Sequence, residues 1–242
     1  MLRSYKADLH VHTCLSPCAD LKMSPLRIAE EAKRKEIEII GICDHNTAEN
    51  TPALLKLTEG SKILVLPGIE VTTQEEVHLL ALFGNIEQAF ILQNYIYQNL
   101  PGENDEESFG LQVVVNEKDE VLGFNKKLLI GATTLPLKEI LKFIHSIDGL
   151  AVASHIDKEN FSIISQLGFI PENIELDGLE VSALANYKEF IDKYPSFPII
   201  RSSDAHFLEE IGRFSTKFII KEKNFEEIKQ AFQNKKGRKI II

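Results

Sequence analysis

Six of the seven histidines in this 242-residue chain lie at or just beyond the ends of short apolar segments that are predicted to form β-strands. They are His10, His12, His45, His78, His155 and His206, whereas His145 lies in a predicted helix. A single histidine at such a position is most often structural, but six in the same type of position indicate a shared site. Imidazole is the most common metal ligand in proteins, so the pattern predicts a metal centre.

Two pairs of candidate ligands are each separated by a single residue. In the segment ADLHVHT, His10 and His12 point to the same face of a predicted strand and could bind one metal ion. Asp8 shares that face, and we expect it to fix the tautomer of an imidazole rather than to bind metal. Asp204 and His206 repeat the spacing in PIIRSSDAH.

Glu70 is an unusual acidic residue, because it lies in the otherwise apolar segment ILVLPGIEV. A buried carboxylate is costly unless it is paired or bound to a metal ion. A hairpin through residues 73–76 would bring His78 back across from Glu70. Glu180 has a similar setting in GLEVS, where a structural role and a role behind the metal ligands are both open.

The elements that must position these residues alternate between apolar strands and helices, which predicts βα units around a largely parallel sheet or barrel. Residues 24–36 form a predicted helix with Ser24 as its N-cap, and residues 224–234 form the last helix. The predicted strands cover residues 7–12, 37–43, 63–71, 77–83, 150–154, 178–182, 197–203 and 217–221. The candidate ligands therefore lie at the C-terminal ends of strands, where a (β/α) barrel carries its chemistry.

Residues 85–134 interrupt this alternation with a polar, acidic stretch. Within them, the segment LQVVVNEKDEVLGF predicts a β-hairpin around residues 116–119. The apolar content of this region is too small for a core of its own, so we expect one domain over residues 1–242 with an insertion at about 85–134.

The composition, with 44% hydrophobic and 26% charged residues, is typical of a globular protein and excludes disordered and collagen-like classes. The 27 basic and 36 acidic residues give a formal net charge of −9, which provides no general attraction for nucleic acid or anionic membranes. No apolar run approaches the length of a membrane helix, and no signal peptide is recognisable at the N-terminus, so we expect a cytoplasmic protein. We expect the three cysteines to be reduced.

Other catalytic motifs are absent from the sequence. It contains neither the GxxxxGK[ST] loop of P-loop nucleotide-binding proteins nor the GxSxG elbow of α/β-hydrolases. No cysteine is followed six residues later by arginine, as a thiol-based phosphatase requires. Cys14 and Cys18 form one Cys-x3-Cys pair without a second pair, which is weak support for a structural zinc site, and we interpret them as small packing residues.

The motifs DLHVHT, DHN, PGIEV, VHLLAL, ASHI and SDAH, in this order and together with Asp20, resemble the PHP superfamily, named after polymerase and histidinol phosphatase. The resemblance covers residues 7–206. It implies an α/β fold, a distorted (β/α)7 TIM-like barrel, with two or three divalent metal ions at the C-terminal rim as cofactors. Zinc, manganese and iron are the usual metals, and a mixture of imidazoles and carboxylates suits all three.

The resemblance also implies a ligand set, carried over by position: His10, His12, Asp20, His45, Glu70, His78, His155, Asp204 and His206. Asp20 fits least well, because the segment CLSPCAD separates it from the preceding HxH motif, and Cys18 or a vacant position are its alternatives. Three divalent ions would outweigh the three carboxylates of this set and so supply the positive potential that a phosphate substrate needs in an acidic protein.

The activity implied by the resemblance is hydrolysis of a phosphomonoester, either a small phosphorylated metabolite or a nucleotide, by metal-activated water at a trinuclear site. Glu70 would bridge metal ions, and His155 or His206 would assist protonation of the leaving group. Lys158, Arg201 and Arg213 are candidate phosphate contacts, each with an equally reasonable surface or structural role.

Three other functions stay open at this stage. A nuclease that trims short nucleic acids fits the resemblance, although the charge of −9 argues mildly against long nucleic acid. A non-catalytic regulatory module that binds metal would be marked by lost ligands, whereas nearly all positions here are filled. A C–N hydrolase of the amidohydrolase kind lacks a recognisable carboxylated lysine. We expect no membrane partner, and the oligomeric state is not determined.

Overall fold

A computed structural model describes residues 1–182 and 186–242 of the chain. Its strands are β1 (Arg3–Val11), β2 (Ile39–Ile42), β3 (Leu64–Thr72), β4 (His78–Leu82), β5 (Val113–Val115), β6 (Val121–Phe124), β7 (Leu150–Ala153), β8 (Gly178–Val181), β9 (Ile199–Arg201), β10 (Thr216–Ile220) and β11 (Lys239–Ile241). Its α-helices are α1 (Pro25–Arg34), α2 (Thr51–Thr58), α3 (Ile86–Gln98), α4 (Glu106–Phe109), α5 (Leu137–Ser146), α6 (Ile163–Leu167), α7 (Tyr187–Lys193) and α8 (Phe225–Phe232). Within these residues, every helix falls short of the length and hydrophobicity needed to cross a bilayer.

Nine of the strands form one sheet in the order β11-β10-β1-β2-β3-β4-β7-β8-β9. The sheet curls into a nearly closed barrel, because Val11 at the end of β1 forms a parallel bridge with Ala205 just beyond β9. The His12 amide donates a 3.0 Å hydrogen bond to the Ala205 carbonyl at the same place. The predicted distorted α/β barrel is confirmed, and its closure brings the first and last strand ends of the site together.

The sheet is mixed in direction. Strands β1, β2 and β3 run parallel, as do β7, β8 and β9, whereas β4 is antiparallel to both of its neighbours. The reversal comes from the predicted hairpin, in which the Thr73 amide bonds to the Val77 carbonyl at 3.0 Å. A turn this short joins antiparallel strands only, since a parallel pair needs a long crossover.

Close packing of β1 against β2 depends on Gly41. A Cβ atom at this position would lie 2.4 Å from the carbonyl oxygen of Leu9, far inside contact distance. Glycine is therefore required at this position within the isoleucine-rich strand, because any side chain would clash with the backbone of β1.

The two faces of the barrel sheet bury different apolar clusters. Leu79 and Ala81 of β4 pack with residues of α3 and α5, whereas the alternating Leu80 and Leu82 pack with residues of α8. Glu70 alternates with Ile69 and Val71, which belong to the cluster under α3 and α5. Glu70 therefore points away from those helices, to the face that holds the candidate ligands.

The helix signals in the sequence are largely confirmed. The Ser24 hydroxyl accepts a hydrogen bond from the Arg27 amide and caps α1, and Asn224 caps α8 in the same way. Helix α3 lies inside the stretch described as polar from the sequence, and buried Ala89, Leu92 and Ile96 attach it to the barrel core. Polar residues between these apolar ones obscure the helical period, which is why this helix was not predicted.

The predicted β-hairpin in the insertion is present as β5 and β6. Asn50, completely buried at the start of α2, ties it to the barrel. The Asn50 side chain donates to the Val113 carbonyl and accepts from the Val115 amide, both at 3.0 Å, and it also donates to the Thr13 hydroxyl. Backbone groups on one outer edge of the hairpin thus form hydrogen bonds with a side chain that also contacts Thr13, the residue after the HxH motif.

Candidate metal centre

The structure brings eight of the nine predicted ligands into one cluster at one end of the barrel. The C-terminal ends of the parallel strands meet there with the N-terminal end of antiparallel β4, where His78 lies, so the expectation of C-terminal strand ends is wrong for His78. These eight residues, which we call the ligand cluster, are His10, His12, His45, Glu70, His78, His155, Asp204 and His206. They come from β1, β3, β4 and the residues that follow β1, β2, β7 and β9. Strand ends that are far apart in the chain meet because the barrel closes.

Glu70 lies at the centre of the ligand cluster, with a relative exposure of only 1%. Each of its two carboxylate oxygens contacts imidazole nitrogens. The nitrogen atoms nearest to Glu70 belong to His78 at 3.0 Å, His45 at 3.1 Å, His155 at 3.2 Å, and His10 and His12 both at 3.4 Å. Five imidazoles around one carboxylate exceed what its four lone pairs can accept as hydrogen bonds.

Asp204 is the second acidic residue of the ligand cluster. Its Oδ1 atom lies 3.4 Å from His10 Nε2 and 3.3 Å from His12 Nε2. The His206 ring is held by a 2.8 Å hydrogen bond from Nδ1 to the backbone carbonyl of Asp204. The HxH motif therefore lies between two carboxylates, Glu70 and Asp204.

Two polar groups behind the HxH motif determine which nitrogen carries hydrogen. His10 Nδ1 donates to Glu180 Oε2 at 3.0 Å, and His12 Nδ1 donates to the Ser16 hydroxyl at 3.0 Å. The Ser16 hydroxyl must act as acceptor, because it donates its own hydrogen to Asp44 at 2.7 Å. In the neutral rings both Nε2 atoms consequently present lone pairs to the centre of the cluster.

The carboxylates of the ligand cluster are held ionised. Burial raises the pKa of Glu70, but the nearby rings of His78 and His10 outweigh it and keep this pKa well below its usual range. Burial also raises the pKa of Asp204, where His10 and His12 again produce a net shift to well below the usual value. The centre therefore holds two negative charges that need cationic partners.

Burial and neighbouring charges shift the pKa values of the imidazoles in opposite directions. Burial lowers the pKa of His12 to about 3 and takes the pKa of His45 well below its ordinary value, so both rings are neutral and supply lone pairs. Burial also acts to lower the pKa of His10, but the charges of Glu180 and Asp204 outweigh it and raise this pKa. His10 is thus the position where the cluster most strongly favours a positive charge.

These features fit divalent metal ions. The Nε2 atoms of His10 and His12 lie 3.1 Å apart and both face Glu70 and Asp204, a spacing that suits two nitrogen ligands of one cation. The buried Nδ1 of His45 forms no hydrogen bond. Three triplets of ligand atoms lie within 4.8 Å of one another: His12, His45 and His206; His10, His12 and Glu70; and His45, Glu70 and His78. Nitrogen and carboxylate donors suit zinc, manganese or iron.

Three residues at the rim have backbone conformations that are rare outside glycine. The φ angles are +27° for His155, +50° for Asp204 and +56° for Asn46. Such conformations persist only where the surroundings hold them, and they are concentrated at functional sites. Asn46 is held by two 2.8 Å hydrogen bonds from its side chain to the carbonyls of Leu129 and Gly131.

Asp20 is not brought into the ligand cluster. Its carboxylate accepts a 2.7 Å hydrogen bond from the Lys22 amide within its own turn, and it belongs to none of the three triplets found among the described residues. Its backbone does reach the site, since the Asp20 amide donates to the His206 carbonyl at 2.9 Å. The extra residues between the HxH motif and Asp20 form this turn instead of delivering a ligand.

The expected role of Asp8 is wrong. Its carboxylate accepts no hydrogen bond from an imidazole. It accepts hydrogen bonds from the amide and hydroxyl of Ser203 and from the Gly212 amide. Asp8 therefore ties β1 to the segments on either side of Asp204. Burial raises the pKa of Asp8 to about 6.

The three predicted phosphate contacts differ in their placement. Lys158 forms an ion pair with Asp204 Oδ2 at the edge of the ligand cluster. The guanidinium groups of Arg201 and Arg213 lie over the ring of Phe214, at 4.4 and 5.7 Å from its centre. Of the three cations, only Lys158 is positioned to meet a substrate at the cluster.

A cavity of about 380 Å³ opens over this edge of the ligand cluster. It is lined by Cys18, Lys158, Ser182, Ser203, Asp204, His206, Phe207 and Glu210. A larger cavity of about 670 Å³ lies between α3 and the hairpin, and its lining includes no member of the ligand cluster. We therefore consider the smaller cavity the entrance to the site.

Sequence reasoning left Glu180 undecided and missed Ser16. Glu180 carries the same signal as Glu70, a carboxylate within a buried strand, and this signal does identify it as unusual. Ser16 has no comparable signal, because a serine in a polar loop is ordinary. Asp44, the first residue of the DHN motif, accepts hydrogen bonds from the hydroxyls of Ser16 and Thr13, both at 2.7 Å.

An α/β barrel with imidazoles and carboxylates gathered at its C-terminal rim defines a class of metal-dependent hydrolases. Residues 8–233 match the family model described as the PHP domain, and the chain belongs to this family. The recognition of the PHP superfamily from the sequence motifs is confirmed.

A curated relative is the Uncharacterized protein MJ1587 of Methanocaldococcus jannaschii, which is 35% identical over 88 residues. That match covers 33% of this chain and 51% of the relative, so the chain spans about half the length of the relative it matches.

Two solved structures share the fold along nearly the whole chain. The lesion-specific endonuclease PfuEndoQ from Pyrococcus furiosus has a TM-score of 0.77 and 24% identity, covering 99% of this chain and 58% of that one. Endonuclease Q in complex with a 27-mer duplex substrate, which has an abasic lesion at the active site, has a TM-score of 0.74 and 22% identity, covering 98% and 58%. At this identity the likeness shows a common fold.

Proposed function

We propose that this chain is a metal-dependent phosphoesterase that hydrolyses a phosphomonoester at a site holding up to three divalent ions. The observation that carries the proposal is the environment of Glu70, whose oxygens lie within 3.4 Å of nitrogen atoms from five imidazoles. Hydrogen bonds alone do not account for this arrangement, whereas a carboxylate bridging metal ions does.

The eight residues of the ligand cluster would hold the metal ions, and Glu70 would be the bridging ligand. When bound, divalent ions at such a site supply Lewis-acid activation of water and of the phosphoryl oxygens. Zinc, manganese and iron all fit the donor atoms, and three triplets of ligand atoms support up to three ions.

Lys158 is the residue that we assign to substrate phosphate. Burial acts to lower its pKa, but the charge of Asp204 outweighs burial and raises the pKa above the ordinary value. The ammonium group therefore stays charged at neutral pH and can move from Asp204 Oδ2 to a phosphate oxygen. A lysine acts here as a point charge and needs no fixed bidentate geometry.

Either His155 or His206 was predicted to assist protonation of the leaving group. The His206 side chain is 23% exposed and lines the 380 Å³ cavity, whereas that of His155 is 5% exposed and its Nε2 faces Glu70. His206 therefore lies at the mouth of the site, but its Nδ1 hydrogen is bonded to the Asp204 carbonyl and Nε2 would hold metal. We therefore assign a ligating role to both residues.

The substrate that this entrance favours is small. A volume of about 380 Å³ suits a phosphorylated metabolite or a mononucleotide, and Lys158 is its one lysine or arginine among the described lining residues. The formal charge of −9 provides no attraction for a polyanion at a distance from the metal ions.

The proposal is tested by measuring phosphate release from a panel of phosphomonoesters after the apo protein is reloaded with zinc, manganese or iron. We expect turnover that depends on added metal and is removed by a chelator. A protein that binds metal tightly yet releases no phosphate from any phosphoester would contradict the proposal and favour a regulatory metal-binding module.

A second candidate, a nuclease, is favoured by one observation: this chain aligns over 98% of its length with Endonuclease Q bound to duplex DNA. The chain covers 58% of that protein, so its DNA-binding activity does not transfer as a whole. The two candidates are separated by comparing a mononucleotide with a 20-mer and with an abasic duplex. We expect faster hydrolysis of the mononucleotide, and the reverse ranking would establish the nuclease.

A further inference from the structure

Glu180 is a buried carboxylate directly behind the ligand cluster, on β8. Its Oε2 atom accepts two hydrogen bonds, from His10 Nδ1 at 3.0 Å and from the His155 amide at 3.1 Å. Its other oxygen, Oε1, is buried and has no hydrogen-bond partner. A single oxygen thus connects β8 with a ligand on β1 and with a ligand after β7.

We propose that Glu180 is a positioning residue that orients His10 and His155 and thereby sets the affinity of one metal ion, the ion bound by His10, His12 and Glu70. The proposal rests on metal binding by the ligand cluster and is independent of which phosphoester is hydrolysed. Glu180 itself contacts neither substrate nor metal in this assignment.

The first part of the argument concerns the ring of His10. A carboxylate accepting from Nδ1 fixes hydrogen on that nitrogen and leaves the lone pair on Nε2. It also increases the basicity of Nε2, which is the atom that faces Glu70 and Asp204 at 3.4 Å. Without Glu180 the ring would be free to take the other tautomer or to rotate.

The second part concerns the backbone of His155. This residue has a φ angle of +27°, and its amide hydrogen bond to Glu180 is one of the contacts that hold this conformation. The neighbouring Ile156 amide donates to the Glu180 carbonyl at 2.8 Å. Loss of the side-chain contact would leave the His155 amide without its acceptor in a buried region, while the Ile156 contact would still hold the chain.

The effect should be selective among the metal ions. Glu180 contacts the ring of His10, which belongs to one of the three ligand triplets, and touches no ring in the other two. His12 has a different support, since its Nδ1 is held by the neutral hydroxyl of Ser16. Replacing Ser16 should therefore disturb the ions bound by His12, whereas replacing Glu180 should chiefly disturb the ion that depends on His10, because the Ile156 contact still holds the chain beside His155.

The chain offers a matched control in Asp177, which lies just before β8. Asp177 Oδ2 accepts from His145 Nε2 and from the Ala151 amide, both at 2.8 Å. It therefore makes the same two types of contact as Glu180, an imidazole and a backbone amide, but outside the ligand cluster. Asp177→Asn therefore shows whether a loss of folding stability alone changes metal affinity.

The experiment compares wild type, Glu180→Ala, Glu180→Gln and Asp177→Asn. Metal stoichiometry and affinity are measured by chelator competition on apo proteins titrated with Co²⁺ or Zn²⁺, and the ¹⁵N shifts of the His10 ring report its tautomer. For Glu180→Ala we expect a loss of about 10- to 100-fold in affinity for one ion, with the remaining ions bound normally. Glu180→Gln, which keeps an acceptor but loses the charge, should show a smaller loss and retain hydrogen on Nδ1.

Asp177→Asn should bind all ions as wild type does, even if it unfolds at lower temperature. Wild-type metal affinity and an unchanged His10 tautomer in Glu180→Ala would overturn the proposal. If Glu180→Ala does not fold, Glu180→Gln decides, and wild-type affinity for every ion in that variant would overturn it. Metal binding without phosphate release would contradict the proposed function and leave this inference intact.

Discussion

Lys158 Nζ forms an ion pair with Oδ2 of Asp204, while Oδ1 of the same carboxylate faces His10 and His12. One carboxylate thus contacts both the HxH motif and a cation of the entrance cavity. The Lys158 side chain is 43% exposed, so it reaches solvent while remaining next to the cluster. The one lysine of the described cavity lining therefore lies beside the ligand cluster, where we propose that it meets the substrate phosphate.

Replacing Lys158 should weaken catalysis without removing metal. For Lys158→Ala we expect kcat/KM for a phosphomonoester to fall by about 10- to 100-fold, because a hydrogen bond to a charged group contributes about 1.5–3 kcal/mol. Lys158→Arg should retain most activity, since the charge is kept. Steady-state kinetics and metal analysis of the same preparations check this, and wild-type kinetics for Lys158→Ala would remove Lys158 from the proposed site.

Replacing Glu70 should remove both metal and activity. Glu70→Gln keeps the size of the side chain but loses the charge that faces five imidazoles, so we expect turnover below detection and a loss of more than about 100-fold in affinity for at least one ion. Glu76→Gln, an exposed carboxylate in the turn after β3, is the control and should behave as wild type. A fully metallated, active Glu70→Gln protein would refute the bridging role.

Asp8 should make the stability of the apo protein depend on pH. Its pKa is about 6 in the folded protein, above the usual 3.8, so the folded state binds more protons than the unfolded state between these values. The contribution of Asp8 to stability is therefore complete below pH 4 and is lost as pH rises through 6. Integrated over this interval, the change is about 3 kcal/mol in order of magnitude.

The measurement is urea unfolding of wild type and Asp8→Asn from pH 4 to 7 with chelator present. Wild type should gain stability relative to Asp8→Asn as pH falls, and exposed Asp192→Asn should show no such trend. A difference between wild type and Asp8→Asn that does not change with pH would mean that Asp8 is ionised in the fold throughout this range.

Asn50 should control how firmly the hairpin is attached to the barrel. Asn50→Ala would leave the Val115 amide and the Val113 carbonyl without their partner, at a cost of about 2–4 kcal/mol in unfolding free energy. Amide hydrogen exchange should accelerate at Val115 in particular. Exposed Asn94→Ala on α3 is the control, and equal exchange at Val115 in Asn50→Ala and wild type would show that the hairpin is held by other contacts.

Local sequence patterns were sufficient for much of the fold and for most of the ligand cluster. Strand and helix signals depend on residues a few positions apart, so the barrel strands, the cap at Ser24, the last helix and both hairpins were predictable. The ligands lie at strand ends, and Glu70 stands out because an ionised group in an apolar strand needs a partner. Helices α2, α3, α4, α6 and α7 and strand β11 were not predicted, since α3 has a mixed pattern, the other helices are short, and β11 is a short strand at the edge of the sheet.

The side-chain partners behind the ligands were decided only by tertiary structure. His10 and Glu180 are 170 residues apart, and Asp8 and Ser203 are 195 apart. The hydrogen-bond partner of each acidic residue depends on how the barrel closes and on the register of the strands. A register shift of one residue would move every side chain of a strand to the opposite face of the sheet. Local sequence chemistry therefore identified the residues that could bind metal. Contacts between segments distant in the chain determined the tautomers of His10 and His12, the position of Asp20 outside the ligand cluster and the position of Lys158 beside it.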